Sequence, residues 1–588
     1  MTKSDPCQEV GTPVPENTPH AVSVSLPTWK AVVGYEEGQS WVADKMQTGY
    51  PRFFIHNVIR ELMSKVEDKY GKEGEKSLVF PTYKVAKRCR EFMKNNSGNP
   101  NIPIRILQLS TPAPVVGFED PSHIETEFAV LFFPEEAFPF AKAYWVHTGE
   151  GISSRMGDYL LRNLFSNKQH SSMSGGLSKQ EKQAQNILRN SPSLSKGLKS
   201  PSFSLNEDVE KDFNTFIEQK YGRVLDLQFA DQAKLALRRR ICGKLDGSDN
   251  HLDEVQQAKR GIVINESEVY LFPTGMTAIF GAHQAVLGIT RPNKKTICFG
   301  FPYVDTTNIL KKFGPGMHFY GFGDDSSLAD IEKNLEENKL EIQALICECP
   351  SNPLLKTPNL PKIRQLADKY NFVVIVDETI GNFFNINVLP YADIVVSSLT
   401  KVFSGDSNVM GGSLVLNTKL PFYSSLKKYF DSEYEDILWP EDALYLERNS
   451  RDFCNRSAKI NENALAVVDF LLKSPYIAQV FYPTLLPSRK YYDEIKSPEG
   501  GYGGLLSFSF HNPSHAVAFF DSLKLYKGPS LGTNFSLACP YAVLAHYNEL
   551  DEVTKWGIDK YLVRVSVGLE DQNDLLETFA DSMNACKT

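Results

Sequence analysis

A lysine, an aspartate, an asparagine and a glycine turn, each following an apolar run, carry the clearest chemistry in this 588-residue chain. Lys401 ends the run Ile394-Val-Val-Ser-Ser398-Leu-Thr400-Lys401. A lysine at a strand end is usually solvated. Here the apolar, glycine-containing flanks fit a partly buried amine, and burial favours the neutral nucleophile that a Schiff base requires. The Ser398 and Thr400 hydroxyls beside it can hold a phosphate next to an imine. Asp377 ends Phe372-Val-Val-Ile-Val-Asp377, so it would sit at the carboxyl edge of a sheet, where open α/β folds bind ligands. Ionised, it could keep a pyridinium nitrogen protonated and make that ring an electron sink. Taken alone, it could equally bind a metal or cap a turn.

Two further segments join these. In Phe272-Pro-Thr274-Gly275-Met276 a strand gives way to a turn and then a helix, and a helix start offers free N–H groups and a positive dipole end to an anion. By itself this is also an ordinary strand–helix turn with a threonine cap. In Glu348-Cys-Pro-Ser351-Asn352-Pro353 two prolines shape the loop and Asn352 can hydrogen-bond a phenolic oxygen, though a plain connecting loop would look similar. The combination says more than its members. The order is phosphate turn, asparagine loop, aspartate strand, lysine strand, and the 24 residues from Asp377 to Lys401 leave room for a short connection and one more strand.

These residues need a scaffold. Strands are expected at 268–272, 296–300, 344–348, 372–377, 394–398 and 412–416, with helices at 277–287, 328–338 and 360–370. Apolar strands alternating with amphipathic helices predict an α/β domain with a mainly parallel sheet covered by helices. The chain divides into a disordered tail (1–20), an N-terminal extension domain (21–165), a flexible Ser-rich linker (166–206), the α/β domain with its N-terminal arm (207–429) and a smaller C-terminal α+β domain (430–588). Within the extension, strands are expected at 21–25 and 129–133 and helices at 54–67 and 83–95. Helices are also expected at 208–221, 231–243 and 461–472, and strands at 504–508 and 562–567.

A net charge of −8, from 63 basic and 71 acidic residues, disfavours a chain built to neutralise nucleic-acid phosphates. The nine cysteines are scattered without metal-ligand spacing, so no metal site is expected and the thiols read as reduced and mostly buried. The polar start has no apolar signal core and no apolar run is long enough to span a bilayer. A cytoplasmic protein without membrane or nucleic-acid partners is the expectation.

The motifs together resemble the Cys/Met-metabolism, pyridoxal 5′-phosphate (PLP)-dependent enzymes, of fold type I. Thr274-Gly275-Met276 looks like the family's Ser-Gly-Met turn, Ser351-Asn352-Pro353 matches Ser-Asn-Pro, Asp377-Glu-Thr379 resembles Asp-Asn-Thr, and Ser398-Leu-Thr400-Lys401 matches Ser-x-Thr-Lys. Ser530-Leu-Gly532 and the run Leu562 to Asp571 match two C-terminal motifs. The resemblance covers roughly 230–588. The extension, with Gly49-Tyr-Pro-Arg-Phe-Phe-Ile55 and Gly149-Glu-Gly-Ile-Ser-Ser-Arg155, is similar to that of the fungal cystathionine γ-synthases.

The resemblance implies that Lys401 binds PLP and shuttles protons and that Asp377 pairs with the ring nitrogen. It implies that Gly275, Met276, Ser398 and Thr400 hold the phosphate, with Thr379 also at the cofactor. Asn352 would contact the ring oxygen, Tyr303 would stack on the ring, and Ser530 and Arg564 would take the substrate carboxylate. One of Arg238, Arg239 and Arg240 would reach a neighbouring subunit's phosphate, unless that run is a solvated helix face. The implied reaction is γ-replacement of the acyl group of an O-acylhomoserine by cysteine in a homodimer or homotetramer. Cystathionine lyase or acylhomoserine sulfhydrylase chemistry, or a non-catalytic PLP fold, are the alternatives. Tyr303-Val-Asp305 where the family has Tyr-Gly-Gly, Asp377-Glu378 for Asp-Asn, and Thr533-Asn-Phe535-Ser536 for Gly-x-Glu-Ser depart from the pattern and bear on substrate choice.

Overall fold

The computed structural model describes residues 9–113, 123–165, 227–245, 260–290 and 294–587. The expected linker 166–206 and helix 208–221 lie outside the described residues. Among the described residues no helix is long and apolar enough to cross a membrane.

The central sheet has seven strands: β4 Val269–Phe272, β5 Lys295–Phe299, β6 Met317–Tyr320, β7 Ile342–Glu348, β8 Val373–Asp377, β9 Ile394–Ser398 and β10 Gly412–Leu416. Their order is β4-β10-β9-β8-β7-β5-β6. β10 runs antiparallel to both its neighbours, while β9, β8, β7, β5 and β6 pair in parallel. The inner strands are valine- and isoleucine-rich and buried on both faces, the pattern that covered parallel strands need. β6 went unforeseen because its four residues are all half-buried and form no apolar run. Helix Leu360–Tyr370 illustrates how the connections are fixed: the Asn359 side chain accepts from the Lys362 N–H at 3.1 Å, and Asn371 turns left-handed at φ 56° to end it. Such caps contribute about 1 kcal/mol.

A three-stranded antiparallel sheet forms the extension: β1 Glu75–Phe80, β2 Arg105–Ser110 and β3 Glu127–Pro134, in the order β1-β3-β2. Helices Asn57–Tyr70, Tyr83–Asn96, Phe138–Thr148 and Ser154–Phe165 surround it. This unit packs on the α/β domain through rings: Tyr144 meets Phe280 of helix Gly275–Ile289 edge-on at 6.4 Å, and Phe92 stacks at 4.7 Å on Phe313, which ends helix Val304–Lys312.

The start of the chain differs from expectation in two ways. Residues 9–20 are not a loose tail: Val14 is 1% exposed and the Gly11 N–H donates to Ser25 O at 2.9 Å. Residues 21–25 are extended but make no strand, since their neighbours offer separate partners rather than an edge. Val22 N–H donates to Ser407 O and Ser25 N–H to Thr12 O, and the following Leu26 N–H donates to Lys527 O. The segment then docks on the C-terminal region. Trp29 stacks on Tyr561 at 5.6 Å, and its N–H donates to Asp521 Oδ1 at 2.7 Å. The expected unit 21–165 is thus an arm joined to a separate sheet-bearing body.

The C-terminal sheet, β11 Ile477–Phe481, β12 Leu505–Phe510, β13 Tyr526–Lys527, β14 Leu537–Pro540 and β15 Val563–Ser566, has the order β11-β12-β15-β14-β13. Helix Phe453–Leu472 packs on it. Helix Tyr423–Glu433 runs across the expected boundary at 429/430, because no breaker interrupts the pattern there. Seven of the eight described cysteines are buried, and none of the eight is in a disulfide.

Candidate active site

The carboxyl ends of β4, β7, β8 and β9 open on one cleft with about 800 Å³ of empty space, its mouth included. Thr274, Gly275 and Met276 form one wall, and Asp377, Thr379, Ser398 and Lys401 the floor. Asn352, Tyr303 and Arg564 close the sides.

The turn after β4 is built to leave N–H groups in the cleft. Thr274 caps the helix, its Oγ1 accepting from the Thr277 N–H at 3.0 Å. The Gly275 and Met276 N–H groups, which a helix start cannot pair internally, remain beside the cavity. Gly275 must be glycine: a Cβ there would lie 2.7 Å from Ser398 Cβ and 3.0 Å from its Oγ. That contact is what brings the turn against the Ser398 hydroxyl.

Lys401 is half-buried, and its Nζ lies 3.4 Å from both Tyr50 OH and Ser530 Oγ. Burial pushes its pKa down, with Tyr50 opposing the shift. Asp377 Oδ1 accepts from the Thr379 N–H at 2.8 Å, and Thr379 Oγ1 accepts from the Ser398 N–H at 2.8 Å, so Thr379 fixes floor and carboxylate together. Burial raises the Asp377 pKa against the pull of Thr379. Arg564 donates to Ser530 O at 3.0 Å and to Asn352 Oδ1 at 3.2 Å, which orients its fork.

The structure revises one expectation. Thr400 does not line the cleft; its Oγ1 donates to Gly411 O at 3.3 Å and accepts from the Gly411 N–H at 3.1 Å, so the hydroxyl ties the lysine turn to β10. Nor do Arg238, Arg239 and Arg240 line it. Arg238 pairs with Asp436 at 3.0 Å, Arg239 with Glu266 at 3.7 Å and Arg240 with Glu447 at 3.3 Å, so each is held by a carboxylate of its own chain.

The extension supplies what the arginine run does not. The turn 50–54, closed by Phe53 and Phe54 N–H groups on Tyr50 O at 2.9 Å, projects Tyr50 and Arg52 into the cleft. Arg52 Nη2 donates to Tyr303 OH at 2.7 Å and Nη1 to Asp305 Oδ2 at 2.8 Å. Glu348 was also missed. It lines the cleft, its oxygens accepting from the Tyr303 N–H at 2.6 Å and the Asn352 N–H at 3.0 Å. Burial, then Asp377, pushes its pKa up to about 8. A carboxylate at the end of an apolar strand, the signal used for Asp377, would have found it. Tyr50 and Arg52 had a local signal too, an aromatic and a cation two residues apart in a glycine- and aromatic-rich turn.

Two family models match the chain: Cys/Met metabolism PLP-dependent enzyme over residues 251–584, and the fungal trans-sulfuration enzyme N-terminal domain over residues 58–153. The chain therefore belongs to the Cys/Met metabolism PLP-dependent enzymes, and its cofactor is PLP. It is 41% identical to a cystathionine γ-synthase of Neurospora crassa, covering 98% of each chain. It is 42% identical to one of Saccharomyces cerevisiae, covering 97% of this chain and 98% of that one. A cystathionine γ-synthase-like enzyme of Amanita muscaria is also 42% identical, over 98% of this chain and 96% of its own. Among solved structures, cystathionine γ-synthase of Xanthomonas oryzae pv. oryzae in complex with cystathionine aligns with 61% of this chain and 98% of its own, at 23% identity and a TM-score of 0.49.

The cleft fits PLP on its own chemistry. It offers a half-buried amine, a half-buried carboxylate and a glycine turn packed against a serine.

Proposed function

We propose that this chain is a cystathionine γ-synthase, replacing the acyl group of an O-acylhomoserine by cysteine. The carrying observation is the likeness to two fungal enzymes of that name along nearly the whole chain, extension included. The cleft lined by Lys401, Asp377 and Arg564 supports it. The acyl oxygen–Cγ bond breaks, a Cγ–S bond forms, and the thiol proton leaves with the free acid.

When bound, PLP supplies an electron sink for charge left on the substrate carbon. Gly275 and Met276 N–H groups and the Ser398 hydroxyl take its phosphate, and the helix dipole adds to their pull. Asp377, locked by Thr379, pairs with the ring nitrogen; a cation there keeps ionised a carboxyl that burial alone pushes toward protonation. Asn352 would hold the ring oxygen, and Tyr303 would flank the ring. Lys401 would hold the cofactor and carry the substrate protons, its pKa lowered by burial so that it can act as a base. Arg564 grips the substrate α-carboxylate bidentately, with Ser530 beside it. Assembly as a homodimer or homotetramer in the cytoplasm goes with this reading.

Products decide it. Purified protein given O-acetylhomoserine and cysteine should form cystathionine, and Lys401→Ala should form none. Release of a 2-oxo acid from cystathionine, with no synthesis, would instead make the chain a lyase on the same scaffold.

A further inference from the structure

Arg52 does not stand alone. Asp305, where the family pattern has glycine, holds Arg52 Nη1 at 2.8 Å, and the two side chains are 3% and 2% exposed. Behind Asp305 stands His147 of the extension, Nδ1 to Oδ1 at 2.9 Å, and behind that Lys312, Nζ to Nε2 at 2.7 Å. A ring proton on Nδ1 and a lone pair on Nε2 satisfy both contacts: the ring donates to the carboxylate and accepts from the ammonium. The Val146 carbonyl takes Nη1 of Arg52 as well. Burial opposes ionisation of Asp305, yet Arg52 and His147 hold its carboxyl down at about 2.

The same short segment reaches the phosphate turn. Gly149, two residues after His147, is left-handed at φ +67°, and a Cβ there would lie 2.2 Å from Thr274 Oγ1 and 3.3 Å from Arg52 Cδ. Segment 146–149 therefore touches the capping threonine of the turn and the arginine at once. We propose that Asp305 and His147 are positioning residues that fix the Arg52 guanidinium at the phosphate end of the cofactor, making the extension a structural part of the cofactor's seat. The Tyr303-Val-Asp305 departure is then the counterpart of the extension: where the extension delivers a buried guanidinium, a carboxylate replaces glycine to receive it. A buried charge without such a partner would be costly, and a long side chain without a second anchor would lose its fixed direction. The proposal rests on the cleft being the PLP seat, not on which substrates it takes.

The test compares two ligands of the apoprotein, PLP and pyridoxal, which lacks the phosphate, by absorbance or fluorescence titration without substrate. Asp305→Asn should raise the Kd for PLP about tenfold or more, the size of one lost charge-assisted contact, and leave the Kd for pyridoxal unchanged. On an Arg52→Ala background the same change should cost nothing further. His147→Phe, which keeps a ring but not the bond to Asp305, should give a smaller loss confined to PLP. It also decides the matter if Asp305→Asn fails to fold. Equal losses for PLP and pyridoxal would reduce the cluster to scaffold support and overturn the proposal, as would unchanged or tighter PLP binding. Because no turnover is read, a failure here stays separate from a failure of the γ-synthase assignment.

Discussion

The Tyr50 hydroxyl and the Lys401 amine lie 3.4 Å apart although 351 positions separate them in the chain. Burial disfavours the Tyr50 phenolate, but Lys401 and Arg52 together bring the phenol's pKa below its usual range. Tyr50 is thus a proton partner for the lysine. Tyr50→Phe should lower kcat by about two orders of magnitude with PLP affinity retained. Steady-state kinetics beside a cofactor titration check this, and parallel loss of both would mean the ring, not the hydroxyl, matters.

Arg564 and its supports make a second expectation. Lysine keeps the charge but not the fork that Ser530 O and Asn352 Oδ1 hold in place. Arg564→Lys should raise KM for the amino-acid substrate by roughly ten- to a hundredfold, about 1.5–3 kcal/mol for hydrogen bonds to a charged group. The cofactor's visible absorbance should not change.

Glu348 gives a pH signature. Its folded-state pKa is raised to about 8, above an unfolded value of about 4.3. The proton is therefore held more tightly in the folded apoprotein. That contribution is complete below the unfolded value and is lost as pH rises through about 8. Glu348→Gln removes the titration, so thermal melts of the apoprotein should show the variant gaining on the wild type as pH climbs through this window. A constant difference would place the titrating group elsewhere.

Tyr50 and Arg52 reach the cleft of their own chain. Arg52→Ala and Lys401→Ala variants, unfolded together and reassembled, should therefore regain no cystathionine synthesis, since every chain carries one broken site. Recovered activity would show that neighbouring chains exchange the arginine.

Much of this site could be read from the sequence because its residues sit at strand ends. An apolar run that stops at a polar residue tells both where the strand is and which edge carries its last side chain, as with Asp377 and Ser398. Thr400 misled because Ser398 and Lys401, close by on either side, line the cleft; only the tight turn onto Gly411 shows where its hydroxyl is engaged. The Arg238–Arg240 run shows a different limit: charge density marks a helix face but not the carboxylates Asp436, Glu266 and Glu447 that come to it from elsewhere. Arg52 finds Asp305 across 253 positions, and no local period encodes such a meeting. The departure at Asp305 was visible in the sequence, and its reason lay in the extension.

The arm's docking has a consequence for how the protein is made. Trp29 leaves the ribosome 492 positions ahead of its partner Asp521, and its other partner Tyr561 follows later still. Domains generally fold in the order of synthesis, so the sheet-bearing body of the extension can form first, while the arm ahead of it must wait, its apolar side chains unsheltered, until Asp521 and Tyr561 have been made. The two segments then lock together, and a nascent chain halted before Tyr561 would hold an unfastened arm.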